Sequence, residues 1–155
     1  MVIFCDIDGV VADCSHRLHF LEDKNYDKFY SKEEMTKDVP IKSGAFLLNA
    51  LYSSPYECAI VFVTGRPYRT EEWTREWLIK KARFKSAEFA TILMRKNHDY
   101  RPSDVIKVEA IKKFLNENCY RGEYLFIDDD PKNVQAVEKS FPQIRGIVFG
   151  TERLF

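Results

Sequence analysis

Nothing in this 155-residue sequence is apolar for long enough to cross a bilayer; the longest apolar runs are strand-sized. The chain opens on Met-Val-Ile-Phe-Cys-Asp with no basic leader, so the expectation is a cytoplasmic protein without a signal peptide. An excess of one charge is missing as well. Lys plus Arg number 24, Asp plus Glu number 24, and the formal net charge is +0. That balance excludes a molecule that wraps a long nucleic acid by its overall field. The charges are nonetheless unevenly spread, with residues 66–113 rich in Lys and Arg and the flanks acidic, which suits an anionic substrate arriving on one side. Blocks of this size are more often solvated helix faces. Cys5, Cys14, Cys58 and Cys119 are widely spaced and form no CxxC pair, which excludes a disulfide framework and a zinc site. Repeats and low-complexity segments are absent too, so the length and the 45% hydrophobic content read as one domain over residues 1–155.

What the sequence does contain is a run, Val2 to Cys5, that ends abruptly in Asp6-Ile7-Asp8-Gly9. A buried strand that delivers two carboxylates to its carboxyl end fits this pattern, with Gly9 letting the backbone turn away. Further strands are expected at 59–63, 91–94, 124–127 and 146–149, and the run at 59–63 lacks polar alternation, as a parallel strand covered on both faces does. Between them lie helical patterns at 44–53, after Thr70, from Ser103 or Asp104, and after Pro131 with Asp130 as its cap. Thr70 is expected to cap its helix. Strands alternating with helices predict an α/β fold, a Rossmann-like three-layer sandwich with a mostly parallel five-stranded sheet. Residues 14–43, polar and aromatic, read as a small helical cap insertion.

Ligands of such sheets bind at the carboxyl ends of the strands. There the order of elements gathers Asp6, Asp8, Thr64, Lys107, Asp128 and Asp129. Adjacent carboxylates repel unless a cation lies between them, and a hard oxygen-seeking ion such as Mg²⁺ fits. The set has the parts that phosphoryl transfer needs. Asp6 is the expected nucleophile, and Asp8 the acid and later the base. Thr64 and Lys107 hold the phosphoryl group. Asp128, helped by Asp129, completes a metal site with Asp6 and the backbone carbonyl of Asp8.

Asp6-Ile7-Asp8-Gly9-Val10, Thr64 after a buried strand, a helical Lys107 and Ile127-Asp128-Asp129 resemble, in order, the four motifs of the haloacid dehalogenase (HAD) superfamily of phosphatases. They span nearly the whole chain. Within that superfamily, Thr64-Gly65-Arg66-Pro67, Thr74…Trp77-Leu78, Met94-Arg95, Arg101-Pro102 and Asp104…Lys107 resemble the phosphatase domain of phage-type polynucleotide kinase-phosphatases, which remove 3′-phosphates from nucleic acid ends. The resemblance implies an Mg²⁺-dependent phosphomonoesterase with an aspartyl-phosphate intermediate, in which Arg66 and Asp104 support the site. Gly65, Arg17, Arg95 and Arg101 join them as candidate substrate contacts. Two features pull away from the narrower match. No G-x-x-x-x-G-K-[ST] is present, so the kinase half is missing and a stand-alone phosphatase is expected. The opening Asp8-Gly9-Val10-Val11-Ala12-Asp13 resembles equally that of 5′(3′)-deoxyribonucleotidases, which act on mononucleotides. The substrate is therefore a nucleotide or a nucleic acid 3′ end, and no obligatory protein partner or membrane is indicated.

Other residues have plainer readings. His16 and His19 have helical spacing but no third metal ligand, so cap packing or a substrate contact is favoured over metal binding. Trp73 and Trp77 are expected to pack in the core or cap before they stack on bases. Arg95 and Arg101 are balanced between reaching substrate phosphates and ordinary surface charge.

Overall fold

The computed structural model describes residues 1–150. β1 (Val2–Cys5) is buried along its length, and its side chains alternate between two apolar clusters, Ile3 and Cys5 in one, Val2 and Phe4 in the other. A strand with a core on each face has no place for polar alternation, which is why the sequence shows none.

β2 (Ala12–Asp13) pairs antiparallel with β3 (Val39–Pro40), and between them lie a 3₁₀ turn, Ser15–Arg17, and three four-residue helices, α1 (His19–Glu22), α2 (Tyr26–Phe29) and α3 (Lys32–Met35). Side chains of Asn25 and Ser31 accept from Lys28 N and Glu34 N and so cap α2 and α3. The main chain then runs through α4 (Lys42–Tyr52), β4 (Ala59–Pro67), α5 (Glu71–Lys80), β5 (Thr91–Arg95), α6 (Ser103–Glu117), β6 (Tyr124–Asp128), α7 (Pro131–Ser140) and β7 (Ile144–Val148).

Five strands form one sheet in the order β5-β4-β1-β6-β7, and every pairing is parallel. Leu48 of α4 and Trp77 and Leu78 of α5 pack with Ile3 and Cys5, whereas Ile111 of α6 and Val134 and Val137 of α7 pack with Phe4 and Phe126. The helices thus change face at β1, and a crevice opens at its carboxyl end between β4 and β6. Gly44 lets α4 approach the Val10 carbonyl; a Cβ there would overlap it.

The expected three-layer α/β sandwich is present, with the sheet wholly parallel. The insertion is helical as expected, but its base is the two-residue pairing of β2 with β3, too short to leave a periodic trace. β4 runs on past Val63 to Pro67, with a register shift against β5 between Thr64 and Pro67. Such an irregularity re-aims side chains at a strand end. A 3₁₀ turn, Tyr68–Thr70, follows, and the hydroxyl of Thr70 donates to Pro67 O at 2.8 Å, so Thr70 does not cap α5. Asp130 does cap α7, accepting from Lys132 N at 2.9 Å ahead of Pro131. All four cysteines are unpaired. No helix among the described residues is long and apolar enough to cross a membrane.

Candidate active site

Asp6 extends the line of β1: its N–H donates to Ile127 O at 2.9 Å, which sets it level with Asp128 at the end of β6. Its Oδ1 accepts from Ile7 N at 2.7 Å. The chain then reverses, with Val11 N and Ala12 N both donating to Ile7 O. Gly9 occupies φ +83°, and a side chain there would collide with the Asp129 carboxylate. Glycine is favoured here by the backbone conformation, and any larger residue would also push the Asp129 carboxylate aside.

Lys107, one turn into α6, is 1% exposed and donates from Nζ to Asp6 Oδ2 and Asp128 Oδ2, each at 2.6 Å. The other oxygen of Asp128 accepts from Asp130 N and from Asn133 Nδ2, both at 3.0 Å. Burial pushes the Asp6 carboxyl up to about 8; Lys107 opposes this, while Asp128 and Asp8 add to it. Burial alone would lower the Lys107 ammonium, but Asp6 and Asp128 override it and raise it. Asp129 is raised by burial and by Asp128. Oxygens of Asp6, Asp128 and Asp129 lie within 4.8 Å of one another. One ammonium cannot neutralise three carboxylates. The all-oxygen donor set and this leftover negative charge fit a hard divalent cation.

Beside that trio lies a second, fully ionic group. Asp8 accepts from Arg66 Nη2 at 2.6 Å and Nε at 3.0 Å, and from Arg17 Nη2 at 3.1 Å. Behind them Asp38 accepts from Arg17 Nε at 2.7 Å and Nη2 at 2.8 Å, and from Arg66 Nη2 at 2.8 Å. Two guanidiniums and two carboxylates balance inside the protein, with both arginines 0% exposed. Burial would raise the Asp8 carboxyl, but Arg66 and then Arg17 hold it below its ordinary value. Arg17 also donates to Phe29 O at 3.1 Å and lies 4.2 Å over the Phe29 ring.

Of the sequence candidates, Asp6, Lys107, Asp128 and Asp129 meet in one cluster, and Asp8, Arg17 and Arg66 in its neighbour. Thr64 is buried towards the end of β4, its Oγ1 accepting from Arg66 N at 3.2 Å, and among the described residues its hydroxyl proton has no acceptor. The Gly65 carbonyl receives Arg95 Nε at 2.8 Å and Tyr30 OH at 3.2 Å. Arg95 Nη1 donates to the carbonyls of Asp99 and Arg101, so this side chain braces the loop after β5. Arg101 spends its guanidinium on Asp99 and Glu109. Asp104 pairs with Lys132 across to α7 at 3.3 Å. His16 Nε2 is 3.1 Å from Glu34 O, while His19 packs on Phe20. Trp73 and Trp77 pin the insertion, through Met35 Sδ and Asp38 O respectively.

Sequence reading missed Asp38 and Asn133. Asp38 follows an unremarkable Thr-Lys and precedes Val-Pro, and only the fold brings it behind two arginines 21 and 28 residues away. Asn133 had a faint signal, five residues after Asp128 in the first turn of α7.

Residues 1–140 match the family model described as the polynucleotide kinase PNKP phosphatase domain, a HAD-type group. Among curated proteins the chain is similar to one of Autographa californica nuclear polyhedrosis virus named as a bifunctional polynucleotide kinase/RNA ligase. The two are 30% identical over 132 residues, which is 83% of this chain and 16% of that protein. Among solved structures, two chains of the Pnkp1/Rnl/Hen1 RNA repair complex superpose with TM-scores of 0.67 and 0.66, each at 20% identity over 94% of this chain and 41% and 44% of theirs. The chain therefore spans less than half the length of these relatives.

Proposed function

The chain belongs to the PNKP phosphatase-domain family of the HAD superfamily, and on that footing we propose that it is a phosphomonoesterase that removes 3′-phosphates from nucleic acid ends. The observation that carries the chemistry is the Lys107 ammonium held between Asp6 and Asp128, with Asp129 alongside. Asp6, Asp128 and Asp129 would hold a divalent cation, Mg²⁺ by its preference for oxygen ligands, which when bound offsets the charge of the phosphate oxygens.

Asp6 attacks phosphorus and forms an aspartyl phosphate as the bond to the leaving oxygen breaks. Its raised pKa marks a carboxylate poorly solvated where it lies; Lys107 orients it and opposes the rise, and a bound cation would favour the ionised form that the attack needs. Asp8 supplies the proton for the leaving oxygen and then takes one from the water that hydrolyses the intermediate. As it rests, Asp8 is ionised by Arg66 and Arg17 and suited to the second step. The negative charge of a phosphate beside Asp8 opposes its ionisation and favours the protonated form needed for the first. Thr64, with its free hydroxyl proton, donates to a phosphate oxygen.

A deoxyribonucleotidase reading rests on the Asp8 to Asp13 segment, which both groups share. Family membership and the small insertion, three helices of four residues each, favour a site open to a polynucleotide end. The deciding experiment measures phosphate release in Mg²⁺ from a 3′-phosphate-ended oligonucleotide and from a set of deoxynucleoside monophosphates. Preference for the oligonucleotide is expected. Asp6→Asn should bring release to background while the melting temperature stays within a few degrees, since Lys107 keeps Asp128 as a partner. Activity retained in Asp6→Asn would sink the mechanism, and preference for mononucleotides would sink the substrate assignment.

A further inference from the structure

Next to the phosphate site, between the insertion and the loop after β5, lies a cavity of about 230 Å³ lined by Tyr26, Tyr30, Arg69, Arg95, His98 and Tyr100 among others. None of the catalytic assignments above uses it. It is smaller than the roughly 300–1,000 Å³ that encloses a whole drug-sized ligand, so it suits a single ring system. Its wall is aromatic: Tyr26, from α2, and Tyr100, from the β5–α6 loop, meet with ring centroids 4.9 Å apart and tilted by 44°. Tyr100 keeps 61% of its surface open, so packing does not use up the residue.

The cavity connects directly to the chemistry. Arg95 Nε and Tyr30 OH both donate to the carbonyl of Gly65, which lies between Thr64 and Arg66. Arg95 Nη2 lies beside Gly65, 3.5 Å from where a side chain would begin, at ordinary contact distance. Among the described residues Arg95 meets carbonyls and no carboxylate through Nε and Nη1, so its charge is not neutralised at the cavity wall. Arg69 lines the cavity too, its guanidinium paired with Asp27, whose side chain is 91% exposed. An ion pair that solvated is readily exchanged for a phosphodiester.

We propose that this cavity is the subsite for the terminal nucleoside of the substrate, its base stacked on Tyr100 and Tyr26 and the next phosphodiester facing Arg69. The inference rests on the nucleic-acid-end reading and adds how such an end is held. Stacking on an aromatic face works for every base and needs the end to be unpaired. The subsite therefore favours single-stranded or frayed ends without regard to sequence.

The test compares two oligonucleotides with the same 3′-phosphate, one with a normal terminal nucleotide and one abasic there, and p-nitrophenyl phosphate as a substrate without a nucleoside. In wild-type protein the abasic end should lose about tenfold in kcat/KM, mainly through KM. Tyr100→Ala should erase that difference by lowering kcat/KM on the base-bearing end about tenfold more than on the abasic one, and Tyr100→Phe should restore it. Equal wild-type rates on the two oligonucleotides would overturn the subsite while leaving the substrate reading intact. Turnover of p-nitrophenyl phosphate with neither oligonucleotide cleaved would overturn both, and a Tyr100→Ala loss equal on all three substrates would mark a structural residue and overturn the subsite.

Discussion

Lys107 divides its charge between two carboxylates while almost wholly cut off from water. Removing it leaves Asp6 and Asp128 facing each other without a cation, so Lys107→Met should lose about 3–5 kcal/mol in the absence of metal. Mg²⁺ would then supply the missing positive charge. Its addition should raise the melting temperature of Lys107→Met more than that of wild type, and an equal rise in both would count against a shared cluster. Asp99 is a different kind of residue, a partly open carboxylate that accepts from Arg101 N at 3.1 Å and from the Arg101 side chain at 2.7 Å. These bonds hold its carboxyl down at about 2, against 3.8 for the free group. A folded value below the unfolded one means stability that is present above pH about 4 and fades as pH falls towards 2. Asp99→Asn should therefore melt below wild type at pH 6, and the gap should close between about pH 4 and pH 2. A gap that does not change with pH would show that the ion pair contributes nothing.

Among the elements, the insertion depends most on its surroundings. Helices of four residues do not persist alone, because a single turn costs more order than its bonds return. α1, α2 and α3 are held instead by anchors on the core: Trp77 Nε1 donates to Asp38 O at 3.0 Å, Trp73 Nε1 to Met35 Sδ at 3.2 Å, and Asp38 itself clamps Arg17 to Arg66. Asp38→Ala should cost about 3 kcal/mol by leaving two buried guanidiniums short of a partner. Hydrogen exchange should quicken in residues 14–40 while β1, β4 and β6 stay protected. Even loss across the sheet would mean that Asp38 belongs to the global core. The central strands β1, β4 and β6 are legible because burial on both faces writes an unbroken apolar run, while the edge strands β5 and β7 are half-exposed and leave shorter ones. Thr70 was misread as a cap because the extension of β4 to Pro67 places a 3₁₀ turn before α5 and gives its hydroxyl a carbonyl three residues back.

For the whole molecule, the proposed metal joins two ends of the sequence. Asp6 closes β1 near the start of the chain, while Asp128 and Asp129 follow β6 more than a hundred residues later. A cation that binds only when these strands are side by side stabilises the fold by mass action, about 2.7 kcal/mol at a hundred times its dissociation constant. Mg²⁺ should thus raise the melting temperature and a chelator reverse it, with Asp129→Ala blunting the response. A melting temperature indifferent to Mg²⁺ would argue that the acidic trio holds no metal in the resting protein.

The sequence by itself determined the strand-helix alternation, and with it that Asp6, Asp8, Thr64, Lys107 and Asp128 gather at one edge of one sheet. Parallel strands all end on the same side, so a polar residue just past an apolar run is assigned its edge by local pattern alone. Only the tertiary structure decided which of these residues touch. It gave Lys107 to Asp6 and Asp128, sank Arg17 and Arg66 against Asp8 with Asp38 behind them, and joined Tyr26 to Tyr100 across the cleft. Arg17, Asp38, Tyr26 and Tyr100 come from irregular or very short segments. Such segments carry no periodicity, and their geometry is fixed by what they pack against and not by their own sequence.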